Sequence, residues 1–153
     1  MAVNVGQRHV PNTQANMQLD ACTKSLDLAV HTVKICSNEN VFPNEFNINI
    51  ANECTMLALD IYTGVYAANN IYISKDNISR WREREELQNK ALILCDRLIS
   101  LINISKRLYK LKSSKYNNWI SMTLDVRTTI KAWHDANAKM CRDISKALKT
   151  NNL

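Results

Sequence analysis

The sequence predicts an all-α protein, an antiparallel up-down-up-down four-helix bundle, on three observations. Apolar residues recur at spacings of three and four over four long stretches, the period of one helix face. The 153 residues hold only two glycines (Gly6, Gly64) and two prolines (Pro11, Pro43), too few turn formers for a β-rich chain of this length. The connections left between the periodic stretches are short, so consecutive helices can bury their stripes only as antiparallel neighbours.

Residues 1–16, with Asn4, Gln7, Asn12, Gln14 and Asn16 around Gly6 and Pro11, have no sustained apolar period and read as a flexible N-terminal arm. The bundle domain is expected over residues 17–149, with 150–153 as a C-terminal tail. Helix one begins near Met17, and its predicted stripe is Leu19, Cys22, Leu26, Ala29 or Val30, Val33 and Cys36. Ser37-Asn38-Glu39-Asn40 breaks that period, and Pro43 suits the first turn of the next helix.

Helix two is expected from about Asn44 to Asn70, burying Ile50, Cys54, Leu57, Ile61, Val65 and Ala68. Its early Phe46 to Ile50 alternates like a strand. A turn through Tyr72 to Asn77 follows. In helix three Leu87, Ala91, Leu94, Leu98, Leu101, Ser105 and Leu108 alternate steps of four and three, a near-perfect heptad. Lys110 to Ser114 forms the next connection. Helix four repeats the pattern through Trp119, Thr123, Val126, Ile130 and Trp133, then more weakly through Cys141, Ile144 and Leu148.

Catalytic chemistry finds little support. The five cysteines (Cys22, Cys36, Cys54, Cys95, Cys141) are single and scattered, with no CxxC pair and no signal peptide, which reads as reduced thiols in a cytoplasmic protein. Cys54 and Cys95 fall on or beside apolar stripes, where a thiol packs as a small hydrophobe. His9, His31 and His134 match no metal-ligand spacing, and Asp20, Asp27 and Asp60 lie on different turns without acid–base neighbours. No glycine loop can cradle a phosphate, and no apolar run approaches the roughly 18–20 residues of a membrane span. No catalytic residue, metal or cofactor is expected.

Charge is the informative feature. The net +6 divides unevenly: residues 1–78 hold four Lys/Arg against seven Asp/Glu, and residues 79–153 hold sixteen against seven. A basic half favours a polyanionic partner, although exposed helix faces are commonly charged in any case. Arg80, Arg82 and Arg84 surround Trp81, and arginine can grip phosphate with two parallel hydrogen bonds while an indole stacks on bases. Glu83, Glu85 and Glu86 could instead pair with those arginines.

Lys90 and Arg97 are seven apart on helix three, and Arg127 and Lys131 four apart on helix four, so each pair shares a face. Lys106, Arg107, Lys110, Lys112 and Lys115 crowd the connection between those helices. These twelve residues are the predicted nucleic-acid-binding set. Lys139, Arg142, Lys146 and Lys149 form a further basic edge, which also suits a helix C-terminus. Trp119 and Trp133 fall on the apolar stripe and read as core or subunit contacts.

Five segments carry a family resemblance: His31-Thr32-Val33-Lys34-Ile35-Cys36-Ser37-Asn38 followed by Val41-Phe42-Pro43, then Ala67-Ala68-Asn69-Asn70-Ile71-Tyr72, Arg84-Glu85-Glu86-Leu87-Gln88-Asn89-Lys90-Ala91, and Val126-Arg127-Thr128-Thr129-Ile130-Lys131-Ala132-Trp133-His134. Over residues 17–135 the chain resembles the Avd-like four-helix bundle proteins, the accessory variability proteins of diversity-generating retroelements. The same bundle family includes proteins encoded by intervening sequences of bacterial ribosomal RNA genes. The resemblance implies a homo-oligomer, a five-subunit barrel of bundles. It implies binding to a reverse transcriptase and its template RNA, or DNA, in support of mutagenic cDNA synthesis, the polymerase supplying the chemistry.

Two functions follow as expectations. One is a non-catalytic nucleic-acid-binding accessory subunit. The other is a protein-interaction or assembly bundle of the intervening-sequence type, suggested by Ile93, Ile102 and Ile104 beside the stripes, which one narrow seam would leave partly uncovered.

Overall fold

The computed structural model describes residues 14–43 and 48–150. They form four long helices: α1 Gln14–Cys36, α2 Ile48–Asn69, α3 Trp81–Leu108 and α4 Ser113–Thr150, with a 3-10 turn at Ile78–Arg80 leading into α3. The described residues contain no strand. Helix α1 packs on α2 and α4, and α3 packs on α2 and α4, so a four-helix bundle closes around a single core.

Most of the core is what the heptad spacing requires on three helices. On α2 it takes Cys54, Leu57, Ile61, Val65 and Ala68; on α3 Ala91, Leu94 and Leu98, with Ile102 fully buried in place of the predicted Leu101, which like Leu87 is half-buried; on α4 Trp119, Val126, Ile130 and Trp133. Leu108, the last member of the predicted α3 stripe, is exposed. Ile102 is fully buried, whereas Ile93 and Ile104 face outward.

Helix α1 departs from the expectation. It buries Ala21, Ser25, Leu28, Ala29, Thr32 and Ile35, so of the predicted Ala29 or Val30 the alanine is the buried one; Cys22 and Cys36 of the predicted stripe are half-buried, while Leu19, Leu26, Val30 and Val33 lie on the exposed side. The inward face is the less apolar of the two, and its buried hydroxyls are hydrogen-bonded. The Trp119 indole N–H donates to Thr32 Oγ1 at 3.0 Å, and the Ser25 hydroxyl donates to the Cys22 carbonyl at 3.1 Å. The Trp119–Thr32 bond gives one buried indole N–H its acceptor on this face, while the indole N–H of Trp133 is buried without one.

The connections are fixed by specific contacts. Phe42, after α1, meets Tyr109 and Trp119 edge-on, with ring centroids 5.0 and 6.3 Å apart. Between α2 and α3, the Asn77 amide closes a turn by accepting from the Ser74 hydroxyl at 2.9 Å and donating to the Tyr72 carbonyl at 3.0 Å. Gln18 of α1 donates to the Asn69 carbonyl at the end of α2, 3.2 Å away. After α3, Lys110 takes φ 50°, a left-handed conformation that follows many helices and usually falls to glycine.

Residues 1–13, most of the predicted arm, lie outside the described residues, as do 44–47 and 151–153. The last three residues of that arm, from Gln14, already belong to α1, and Thr150 of the predicted tail ends α4. The strand-like alternation at Ile48-Asn49-Ile50 lies within α2.

Candidate nucleic-acid interface

The twelve predicted cationic residues separate into three environments. Arg84 is the clear correction. It is only 4 % exposed, because α3 begins at Trp81 and the heptad that places Leu94 and Leu98 in the core carries Arg84 and Gln88 inward with them. Its guanidinium donates to the Ile71 carbonyl and, at 2.8 Å, to Asn137 Oδ1, and it lies over the Trp133 ring, 5.5 Å from the centroid. Burial disfavours the charged form and pulls its pKa down from the ordinary arginine value. Arg84 ties the α2–α3 connection to α4, and its guanidinium is not presented to a ligand.

Along the middle of the bundle the cations are paired. Arg97 meets Glu53 at 2.8 Å. Arg127 grips Asp96 with two bonds, 2.6 and 3.2 Å, which raises its own pKa. Lys131 meets Asp135 at 2.5 Å and, with His134, holds that carboxyl below its ordinary pKa. Arg80 pairs with Glu83, three residues on, at 3.2 Å. These exposed pairs contribute little stability, but they cancel the positive field that a phosphate would seek. Lys106 is also committed, donating to the Leu111 carbonyl at 2.7 Å and to Ser113 Oγ at 3.2 Å.

Unpaired cations remain on Arg82, Lys90, Arg107, Lys110, Lys112 and Lys115, none of which has a carboxylate within 4.0 Å among the described residues. Four of the six gather where α3 passes into α4. There a cavity of ≈ 400 Å³ is lined by Lys110, Lys112 and Lys115 together with Asn38, Asn40 and Tyr109. A smaller neighbouring recess holds His31, Lys34 and Lys115. Glu39 belongs to the connection after α1 and is itself engaged.

The titration of His31 reports the field at this end. Burial is the first cause of its lowered pKa, and the charges of Lys115 and Lys34 push it in the same direction. Lys34 was not among the residues predicted for binding. Its signal in the sequence was its place in the last turn of helix one, which the short connection brings beside the α3–α4 turn.

A second group was partly missed. Trp81 and Arg82 at the start of α3 share a cavity of ≈ 590 Å³ with Arg142 and Lys146 of α4. The spacing of the C-terminal basic edge was legible, but its convergence on Trp81 depends on how α3 and α4 pack.

Among the described residues no group of His, Cys, Asp and Glu could hold a metal ion, and no helix is long and apolar enough to cross a membrane. No protein-family model, curated protein or solved structure matches the chain.

Proposed function

We propose that the protein is a non-catalytic nucleic-acid-binding accessory subunit, acting in the cytoplasm beside a reverse transcriptase and its template RNA. The observation that carries this reading is the cluster of unpaired cations where α3 turns into α4, with Lys110 at its centre. A left-handed lysine costs of order 1–2 kcal/mol where a glycine would cost almost nothing. Its retention of a charged side chain is accounted for if the charge has a use. The mid-bundle pairs narrow the binding surface to the ends of the bundle.

The helix order that supports this surface is antiparallel, up-down-up-down. Support comes from α3 and α4, where Arg84 meets Asn137, Asp96 meets Arg127 and Asn103 meets Tyr116, and from α1 and α4, where Lys24 meets Asp125 and Thr32 meets Trp119, pairs whose numbers rise on one helix as they fall on its neighbour.

Binding of a structured RNA, followed by fluorescence anisotropy across a salt series, tests the reading. Affinity falls steeply with salt, and replacing Lys110, Lys112 and Lys115 by alanine flattens the log–log slope by about two to three units. Absence of binding at low salt, or a slope unchanged in the triple variant, overturns it.

A protein-assembly role is favoured by a different observation. Leu19, Leu26, Val30 and Val33 make an exposed row on α1, and Met56, Leu59 and Tyr66 make another on α2, the kind of apolar row through which copies of a chain can associate. Self-association through these rows fits the homo-oligomer, a pentamer by the family resemblance. Light scattering decides it: Leu26→Asp with Val30→Asp yields a monomer, and a wild-type protein that is already monomeric removes this role.

A further inference from the structure

The ≈ 590 Å³ cavity between α3 and α4 is the largest of those described, within the roughly 300–1,000 Å³ range of ligand sites. One wall is the start of α3, with Ile78 of the 3-10 turn, Trp81 and Arg82; the other is α4 from Ala138 to Lys146. Helix α4 makes this wall by running on: its last buried residue is Cys141, and its final nine residues, Arg142–Thr150, continue for about 13 Å at 1.5 Å per residue.

The lining divides by chemistry. Ile78, Trp81, Ala138 and Cys141 give an apolar floor, and Arg82, Arg142 and Lys146 give three cations, none paired among the described residues. Glu85, the acid in the lining, lies 3.5 Å from His134 Nε2. His134 also backs the indole of Trp81, with ring centroids 5.7 Å apart. Trp81 is half-buried and held by that ring, whereas Trp119 and Trp133 are fully buried.

We propose that this groove binds single-stranded nucleic acid, taking an unpaired base against Trp81 and the adjacent phosphates on Arg82, Arg142 and Lys146. An aromatic face beside several cations suits a base with its backbone. A duplex hides the faces of its bases and offers only its phosphates. The inference rests on the nucleic-acid reading above and deepens it: the lysine end supplies charge for any polyanion, and this groove selects the unstacked strand.

Trp81 supplies the readout, because the other two indoles are out of a ligand's reach. Adding a short unstructured oligouridylate at low salt quenches the fluorescence of the wild-type protein, and Trp81→Phe removes the quench. Trp81→Ala weakens the oligonucleotide roughly tenfold in anisotropy. Arg142→Ala with Lys146→Ala, both exposed positions whose loss leaves the core intact, does the same. A blunt duplex of equal length binds without quenching.

Oligonucleotide binding with no quench, unaltered by these variants but lost when Lys110, Lys112 and Lys115 are replaced, overturns the groove and leaves the broader reading standing. Absence of any nucleic-acid binding overturns both. Quenching by an acidic peptide as strong as that by the oligonucleotide shows a protein-docking groove and overturns the proposal.

Discussion

The Arg84 guanidinium donates to Asn137 Oδ1 across 2.8 Å, joining α3 to α4 inside the core, where neither residue is exposed. No carboxylate accompanies this cation among the described residues. Its charge is instead spread over the Asn137 amide, the Ile71 carbonyl and the face of Trp133. Arg84→Ala therefore removes two hydrogen bonds and a packed side chain, and should lower the unfolding free energy by about 2–4 kcal/mol in urea denaturation. Arg82→Ala, two residues earlier and exposed, should leave stability unchanged and weaken RNA binding. The opposite outcome would return Arg84 to the binding surface.

At Lys110 stability and binding should move apart. Lys110→Gly relieves the left-handed backbone and raises stability by about 1 kcal/mol, while it removes one phosphate contact and weakens RNA binding a few-fold at low salt. Thermal melts and anisotropy on the same preparation check both. A glycine variant that binds as tightly as the wild type would leave this lysine without a role in binding.

Acidification should loosen the fold through His31. The unfolded chain titrates near the ordinary value of 6.5, and burial with Lys115 and Lys34 places the folded value below it. Between the two values the unfolded state binds more protons, so stability falls as pH drops below about 6.5 and is fully present above it. His31→Asn should flatten that part of the pH–stability curve. RNA seated on Lys34 and Lys115 offsets their charges, so binding near pH 6 should take up protons, visible as a raised His31 pKa in NMR titration.

Thr32 tests why α1 turns the face it does. Thr32→Val keeps the volume and deprives the buried Trp119 N–H of its acceptor, which should cost about 1–3 kcal/mol. Thr32→Ser keeps the acceptor and should cost less. Equal losses in the two variants would show that shape, and not the hydrogen bond, orients the helix.

Thiol reactivity should single out Cys36. The neighbouring Cys54 side chain lowers the Cys36 pKa, and Cys36 together with burial raises that of Cys54, while burial pushes Cys95 up to about 12. Brief iodoacetamide treatment of the native protein should label Cys36 before Cys54 or Cys95. Peptide mass mapping with and without urea checks the order.

Where heptad spacing was strong, as in Leu94 and Leu98 of α3 or Trp119, Val126 and Ile130 of α4, the residues predicted for the core occupy it. Helix α1 misled because it carries two candidate faces, and hydropathy favours Leu19 and Leu26 over Ser25 and Thr32. Trp119, the partner of Thr32, lies 87 residues away in the chain. The cationic set was visible as a composition, but pairing was not, since Arg97 finds Glu53 and Arg127 finds Asp96 only across helices. Arg84 differs from Arg82 in sequence by standing seven residues before Ala91, in the register of the stripe. Two residues of helical rotation separate surface from core.

The run of α4 beyond Cys141 has a thermodynamic consequence. Nine residues of helix with one side unsupported gain little from packing and hold chiefly by continuing the turns before them, so this stretch should fray before the core does. Anything that settles on Arg142 and Lys146 also winds the helix that presents them. Occupancy and local folding are then one equilibrium, and amide exchange in Arg142–Thr150 should slow with ligand while the core amides stay as they were.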